Sequence, residues 1–346
     1  MLRDAEATSD DSRVAENAKM EYIDYETVRR YRNRFSSKNA NHVRNDAADD
    51  EFLRFLGAAD EGPDGILRPT YAGLLMFGRD CWITRVLPQY FLDYRQETSS
   101  DTRWEDRFTS ITGDWSGNVY DFYIRVYNKL KAALKVPFKL EGIERVDDTP
   151  AHEALREAIV NCVTNANYQE RRGIVCVWRD EALTIANPGD FRIPLEKAMR
   201  PGESDPRNAT MLKMFAMIDA GERAGSGISK ILHGWKETGY AKPSYEEEYG
   251  PDRTILNLPL TEESAGKNRQ IKSADTFTLR SGKSERSKAD ILEYLTENGS
   301  SKSADIAAGI ELSISRTNEL LKELVSEDRV TSVGRARATR YKLLSR

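Results

Sequence analysis

Residues 151–168 carry two interleaved periodicities that an α-helix satisfies together. Apolar residues recur at Ala151, Leu155, Ala158, Ile159, Cys162, Val163 and Ala166, the period of one buried helix face. Glu153, Glu157, Asn161 and Asn165 recur at strict four-residue spacing, and residues four apart are neighbours on a helix surface. Two carboxylates and two amides therefore form a line of oxygen ligands. A short strand then leads into Asn187-Pro188-Gly189, and Gly225-Ser226-Gly227 opens another helix. Together these segments point to a nucleotide site with a metal ion.

The chemistry fits the residue types. A nucleoside triphosphate arrives with Mg²⁺, which wants oxygen ligands and keeps several waters. The amide oxygen of Asn161 can ligate it without adding charge. Glu157, one turn earlier, can accept a proton from attacking water as a general base. Gly225 and Gly227 let backbone amides approach phosphates at a helix start, where the dipole favours anions. The polar segment between 189 and 225 can fold over the ligand as a lid.

With 346 residues, two or three domains are expected. Charged residues make up 31% and mean hydropathy is −0.64, which predicts a soluble protein with some unfolded tail or linker. No apolar run reaches membrane-spanning length and no secretory signal follows Met1. Cys81, Cys162 and Cys176 lack paired spacing, so they read as reduced core residues of a cytoplasmic protein. His42, His152 and His233 are equally scattered, against a transition-metal centre. The net charge of −4 hides an asymmetry: from Arg329 to Arg346 there are six cations and no acid. An acidic body with a basic end suits local contact with a polyanion.

The fold class expected is α+β. Residues 1–20 read as a disordered tail, 21–83 as a helical region, 84–260 as a helix-and-sheet domain, 261–286 as a linker and 287–346 as a compact unit. Helices are expected near Tyr22, at Glu51–Leu56 and Thr70–Gly78, over 119–134, 209–219 and 226–238. Val86–Tyr94 is strand-like, 174–178 and 182–186 read as a hairpin, and 253–259 as a last strand. Gly282-Lys283-Ser284 imitates the end of a P-loop, but position 277 is Phe and no strand precedes it.

The motif order resembles the GHKL ATPase superfamily, which includes gyrase and histidine kinases. Glu157-x-x-x-Asn161 looks like its N-box, Asn187-Pro-Gly189 like its first glycine box and Gly225-Ser-Gly227 like its second. It is closer to one divergent branch, the bacterial RecG-like C-terminal or Schlafen/AlbA-associated transcriptional regulators. Arg200-Pro-Gly202, Pro206-Arg207-Asn208, Glu222–Ile228 and Thr70–Gly78 match motifs of that branch. The resemblance implies a GHKL (Bergerat-like) α/β sandwich over 84–260, preceded by the helical region. It implies ATP and Mg²⁺ as cofactors, with Asn161 on the metal. Asn187, Gly189, Arg207, Asn208, Gly225, Ser226 and Gly227 would contact the nucleotide, with Glu157 as the general base. Two departures from the pattern stand out: Asn165-Ala-Asn-Tyr168 replaces His-Arg-Asp-Tyr, and Asn187 replaces an adenine-binding aspartate. Membership therefore implies a nucleotide pocket more strongly than turnover. The AlbA-type domain that often precedes this module has no counterpart here beyond Arg13-Val-Ala15.

The C-terminal unit reads as a winged helix-turn-helix. Ile306, Ala307, Ile310, Ile314, Leu320, Leu321, Leu324 and Val325 supply a small core. Ser313 is a plausible N-cap, and Ser315, Arg316, Thr317 and Asn318 open the third helix, where side chains reach base edges in the major groove. Lys322 faces phosphate, and Arg335, Arg337 and Arg340 line a basic wing. The expected function is an ATP-binding, DNA-binding bacterial transcriptional regulator in which nucleotide modulates the winged helix, with double-stranded DNA as partner and a homodimer possible. A non-catalytic scaffold for protein interaction or dimerisation, and an ATPase of nucleic-acid metabolism, stay open as alternatives. Weak Mg²⁺-dependent ATPase activity is compatible with the motifs; a helicase motor is not.

Overall fold

The computed structural model describes all residues except 1–8, 98–104, 135–138, 142–143, 147–148, 201, 203–204, 222–226, 249–250, 263–287, 289, 297, 311, 313, 327–328, 334–338 and 345–346. The chain forms two compact units, Met1–Glu263 and Ser264–Arg346.

The first unit is built on a six-stranded sheet. Its strands are β3 (Leu92–Gln96), β4 (Asp106–Thr109), β7 (Ile174–Trp178), β8 (Ala182–Pro188), β9 (Ser244–Glu248) and β10 (Arg253–Pro259), in the order β4-β3-β7-β8-β10-β9. Only β3 and β7 run parallel; the other neighbours are antiparallel. Side chains alternate across a strand, so Tyr94, Cys176, Ile185, Leu256 and Tyr245 share the inner face. On it pack α5 (Val119–Ala133), α6 (Pro150–Asn165) and α9 (Gly227–Lys236). The hairpin expected at 174–186 is β7–β8. The strand-like run at 86–94 divides into the end of α4 (Asp80–Val86) and the start of β3.

The N-terminal helices α1 (Tyr25–Lys38), α2 (Asp49–Leu56) and α3 (Tyr71–Phe77) belong to the same body. Two short hairpins, β1–β2 (Ala59–Glu61, Leu67–Pro69) and β5–β6 (Lys139–Glu141, Glu144–Val146), connect helices. One hydrophobic core runs from Ala15 to Leu258, so no boundary falls near residue 83. The Tyr31 hydroxyl donates to the Met214 carbonyl at 2.7 Å, joining α1 to α8 (Ala209–Met217). Opposite the core, the buried Asp93 carboxylate accepts from Arg95 and Arg107. A buried charge persists only when paired and hydrogen-bonded.

The disordered tail expected over 1–20 is corrected for residues 9–20, which lie ordered on this body; residues 1–8 are outside the described residues. Ala15, Ala18 and Asp11 are buried. The Ser9 hydroxyl accepts from the Ala209 N–H at 3.1 Å, and Asp11 accepts from Thr210 and Met211 at 3.3 and 2.9 Å. A helix leaves its first N–H groups without intrahelical partners; here a segment 200 residues away satisfies three of them. No local sequence pattern announces such a cap.

The second unit contains α10 (residues 290–296), α11 (Ser303–Gly309) and α12 (Ile314–Ser326), then the two-stranded wing β11 (Val330–Val333) and β12 (Arg340–Leu343). Ile291, Leu295, Ile306, Leu320, Leu321, Leu324 and Val330 form its core. Ser301 and Tyr341 exchange backbone hydrogen bonds, pinning the wing beside the start of α11.

Burial raises the Asp11 carboxyl above its ordinary value, against the lowering by its hydrogen bonds from Ser9, Met211 and Thr210. A raised folded pKa stabilises the protein below the unfolded value, and that contribution is lost as pH rises through the folded one. Asp11→Asn is therefore expected to melt at or above the wild-type temperature at pH 7. That margin should vanish as pH falls to about 4, the unfolded carboxyl value. Asp11→Ala, which removes the cap, should cost about 1 kcal/mol by thermal or urea unfolding.

Candidate functional site

Helix α6 forms one wall of the site. Pro150 occupies its first turn, where a missing N–H costs nothing, and the Thr149 N–H donates to His152 Nδ1 at 3.3 Å. The four-residue stripe divides: Glu153 is exposed, Glu157 is 5% exposed, and Asn161 and Asn165 are half-buried. Asn165 Nδ2 donates to the Asn161 carbonyl at 2.9 Å, and the residue also lines the cavity.

Helix α9 packs against α6 with glycines at the contact. A Cβ on Gly227 would lie 2.5 Å from Asn161 Nδ2 and 2.6 Å from Glu157 Oε1. Seven residues on, a Cβ on Gly234 would lie 2.4 Å from the Pro150 carbonyl oxygen. The two glycines share a helix face, so the N-terminus of α9 is drawn onto the Glu157–Asn161 pair.

The sheet supplies the floor. Asn187 and Thr254 are cross-strand partners on β8 and β10, 6% and 8% exposed. Thr254 Oγ1 donates to the Gly189 carbonyl at 2.9 Å. Ile185, Leu256 and Tyr245 extend the inner face beside them. The Tyr245 hydroxyl is buried and has no hydrogen-bond partner among the described residues. Burial, then the nearby Glu157 carboxylate, pushes its phenol well above the ordinary range. Cys162 also borders the cavity, and burial holds its thiol well above the usual value, in the unreactive protonated form.

Residues on either side of α7 (Leu195–Ala198) border the cavity opposite the sheet. Asp190, Phe191, Arg192, Ile193, Ala198, Asp205 and Pro206 line it. Arg192 pairs with Asp205 at 3.1 Å and Arg207 with Asp190 at 3.2 Å. The Phe191 N–H donates to Glu247 at 3.1 Å, and its ring meets Tyr245 edge-on at 5.9 Å. The cavity is partly open to solvent and has a volume of about 100 Å³.

Glu157, Asn161, Asn187 and Gly227 thus border one cavity. Gly189 sits behind it at φ +96°, next to Arg207. Asn208 faces away: its Nδ2 donates to the Thr164 and Ala166 carbonyls at 3.1 and 2.8 Å. Its expected ligand role is corrected to a clamp between α8 and the end of α6. Gly225 and Ser226 lie outside the described residues. Thr254, Tyr245 and Phe191 were not singled out from the sequence. Thr254 carries a signal there, as the one polar side chain on the face of β10 that also presents Leu256 and Leu258. Among the described residues no group of three or more His, Cys, Asp or Glu could hold a metal ion.

In the winged unit, Asn318 is half-buried and Lys322, one turn on, is exposed. Thr317 is 0% exposed and joins the core stripe with Leu320, Leu321 and Leu324, so its expected DNA contact is corrected. Arg340 is exposed and donates to the Ser300 carbonyl at 3.0 Å. The side chains of Ser315 and Arg316, and all of Ser313, Arg335 and Arg337, lie outside the described residues.

Residues 175–254 match the family described as "Putative ATP-dependent DNA helicase recG C-terminal", and 285–331 match a winged helix-turn-helix DNA-binding family. Residues 1–93 match a domain of unknown function. The first match begins after α6, so Glu157 and Asn161 lie outside it. No curated protein matches. Among solved structures, the DIP2311 protein from Corynebacterium diphtheriae is similar in fold, with a TM-score of 0.51 and 14% identity, over 99% of this chain and 71% of that one. Among the described residues no helix is long and apolar enough to cross a membrane.

Asn208→Ala leaves the buried Ala166 carbonyl without its donor, while the Thr164 carbonyl keeps the Asn208 backbone N–H at 2.8 Å. It should cost about 2 kcal/mol, read as a drop of several degrees in melting temperature. A purely ligand-contacting residue would leave the melting temperature of the free protein unchanged.

Proposed function

We propose that this chain, a RecG C-terminal-like ATPase-type domain followed by a winged helix-turn-helix, is an ATP-binding regulator whose nucleotide state sets its affinity for DNA. One observation carries the reading: three sequence-distant segments, around Asn161, Asn187 and Gly227, meet at one cavity.

The residues present fit ATP with Mg²⁺. The close approach of Gly227 to Asn161 leaves a cradle that a Cβ would fill. In this reading the Asn161 amide oxygen holds Mg²⁺, which neutralises phosphate charge when bound. The N-terminus of α9 attracts phosphate through its dipole. The neutral pair Asn187 and Thr254, flanked by Ile185 and Leu256, takes the base. Glu157 holds the position for accepting a proton from water, so binding rests on Asn161 and any turnover on Glu157. The cavity is well below the ~300–1,000 Å³ of typical ligand sites, so admitting a whole nucleotide requires residues 190–206 to lift. That movement, within one chain or between two protomers, would transmit nucleotide state to the winged helix. On DNA, Asn318 would face base edges while Lys322 and Arg340 hold phosphates. The small cavity also favours a second reading, a scaffold that binds no nucleotide.

Titration of fluorescent ATP with Mg²⁺ separates the two. Wild type should bind, and Asn161→Ala should lose at least tenfold in affinity with an unchanged melting curve. Gly227→Ala should fold and bind at least tenfold more weakly, because its methyl displaces the Glu157 and Asn161 side chains. Absence of binding by wild type would leave the scaffold. Glu157→Gln should keep binding and abolish whatever hydrolysis wild type shows.

DNA affinity should differ with and without ATP, measured by anisotropy with a duplex. Lys322→Ala and Arg340→Ala should each weaken binding and lower the salt slope by about one. Equal DNA affinity in both nucleotide states would sever the regulatory link.

A further inference from the structure

We infer that the cavity reads its purine through a neutral amide and therefore accepts adenine and guanine nucleotides about equally. This deepens the nucleotide reading above and rests on it.

The base belongs at the sheet floor because the chemistry of the cavity is divided. The α9 N-terminus and Asn161 suit phosphate and metal. Around Asn187 and Thr254 the walls are Ile185, Leu256 and Tyr245, flat or apolar surfaces suited to a ring. Asn187 and Thr254 carry no formal charge, while Asp190, Arg192 and Asp205 line the cavity from the closing segment, residues 190–206.

Their hydrogen-bonding capacity differs. Thr254 Oγ1 spends its proton on the Gly189 carbonyl at 2.9 Å, so it offers the cavity acceptor lone pairs only. Asn187 is freer. Among the described residues its side chain makes one bond, from Nδ2 to the Pro188 carbonyl at 3.4 Å, too long to fix which end of the amide faces inward. An amide carries an acceptor oxygen and a donor NH₂.

The two purines differ at the edge such a pair would meet. Adenine presents its N6 amino donor; guanine presents its O6 acceptor beside the N1–H donor. With Oδ1 inward, Asn187 accepts from adenine N6. Rotated by 180° about its last torsion, it donates from Nδ2 to guanine O6. Each ring finds a partner, and the switch disturbs one long hydrogen bond. A carboxylate at the same position accepts only, and would repel guanine O6. Discrimination needs such a repulsive element, and the Asn187 amide supplies none.

Competition tests this on the full-length protein. Bound N-methylanthraniloyl-ATP with Mg²⁺ is displaced by ATP, GTP, ITP and CTP. Wild type should give ATP and GTP affinities within threefold of each other, ITP close to GTP, and CTP at least tenfold weaker. Asn187→Asp should turn this into a preference for ATP of tenfold or more, through loss of GTP. An ATP preference above tenfold in wild type overturns the inference and leaves the nucleotide reading standing; so does a ratio unmoved in a folded Asn187→Asp. Failure of the fluorescent nucleotide to bind at all overturns both. The wild-type ratio decides the matter even if Asn187→Asp does not fold.

Discussion

The contact between α6 and α9 sets the site. Helices ordinarily pack 8–10 Å apart because side chains stand between them. Gly227 and Gly234 remove those side chains at two points seven residues apart, one against Asn161 and Glu157, the other against the Pro150 carbonyl. The helix N-terminus is thereby pressed onto a buried carboxylate and an amide, and the cavity opens between them and the sheet. Apolar packing alone would bury both helices without placing either polar group. The glycines convert a core contact into an arrangement of polar atoms.

The opposite wall depends on long-range polar bonds. Asn208 fastens α8 to the last turn of α6 through two carbonyls. Ser9 and Asp11 cap the same helix from the chain's N-terminal segment. Arg207, between clamp and cap, reaches forward to Asp190 at the rim of the cavity. The ordered N-terminal segment, the clamp and the closing segment are therefore joined in one hydrogen-bonded path. The 1–93 region and the sheet share a core for the same reason, since each covers surface that the other exposes.

Legibility in the sequence followed locality. The α6 stripe, the α3 segment ended by Gly78, the β7–β8 hairpin and the core of the winged unit are written in short-range periodicity, and each was placed within a few residues. Strand β9 is not legible locally because Ser-Tyr-Glu-Glu-Glu has the composition of a solvated charge run; it is a strand through pairing with β10, and edge strands tolerate charge. Residues 9–20 were misread because their order comes from partners near residue 210. Thr317 was misassigned for lack of a face: composition suggests a DNA contact, while its spacing to Leu320, Leu321 and Leu324 puts it in the core. Glu157 and Asn161 were recognised as a pair, but their position against Gly227 is a property of helix packing.

The closing segment is held by interactions that are weak one by one. The Arg192–Asp205 and Arg207–Asp190 pairs each have a carboxylate side chain that is about half exposed, 45% and 55%. The arginines of these pairs are 20% and 12% exposed, so the ~0–1 kcal/mol of a fully exposed pair is a lower bound for each. The Phe191–Tyr245 contact adds about 0.5–1.5 kcal/mol, and the Phe191 N–H also donates to Glu247. In the proposed reading, the binding free energy of the nucleotide would have to supply the cost of opening the segment. The cost falls on affinity rather than on folding, because the core beneath is fixed independently by Asn208 and the α6–α9 contact. Opening would also release Arg192 and Arg207 from their carboxylates beside the space where phosphate charge would arrive. The charges that hold the segment in place are of the sign that would stabilise the filled cavity.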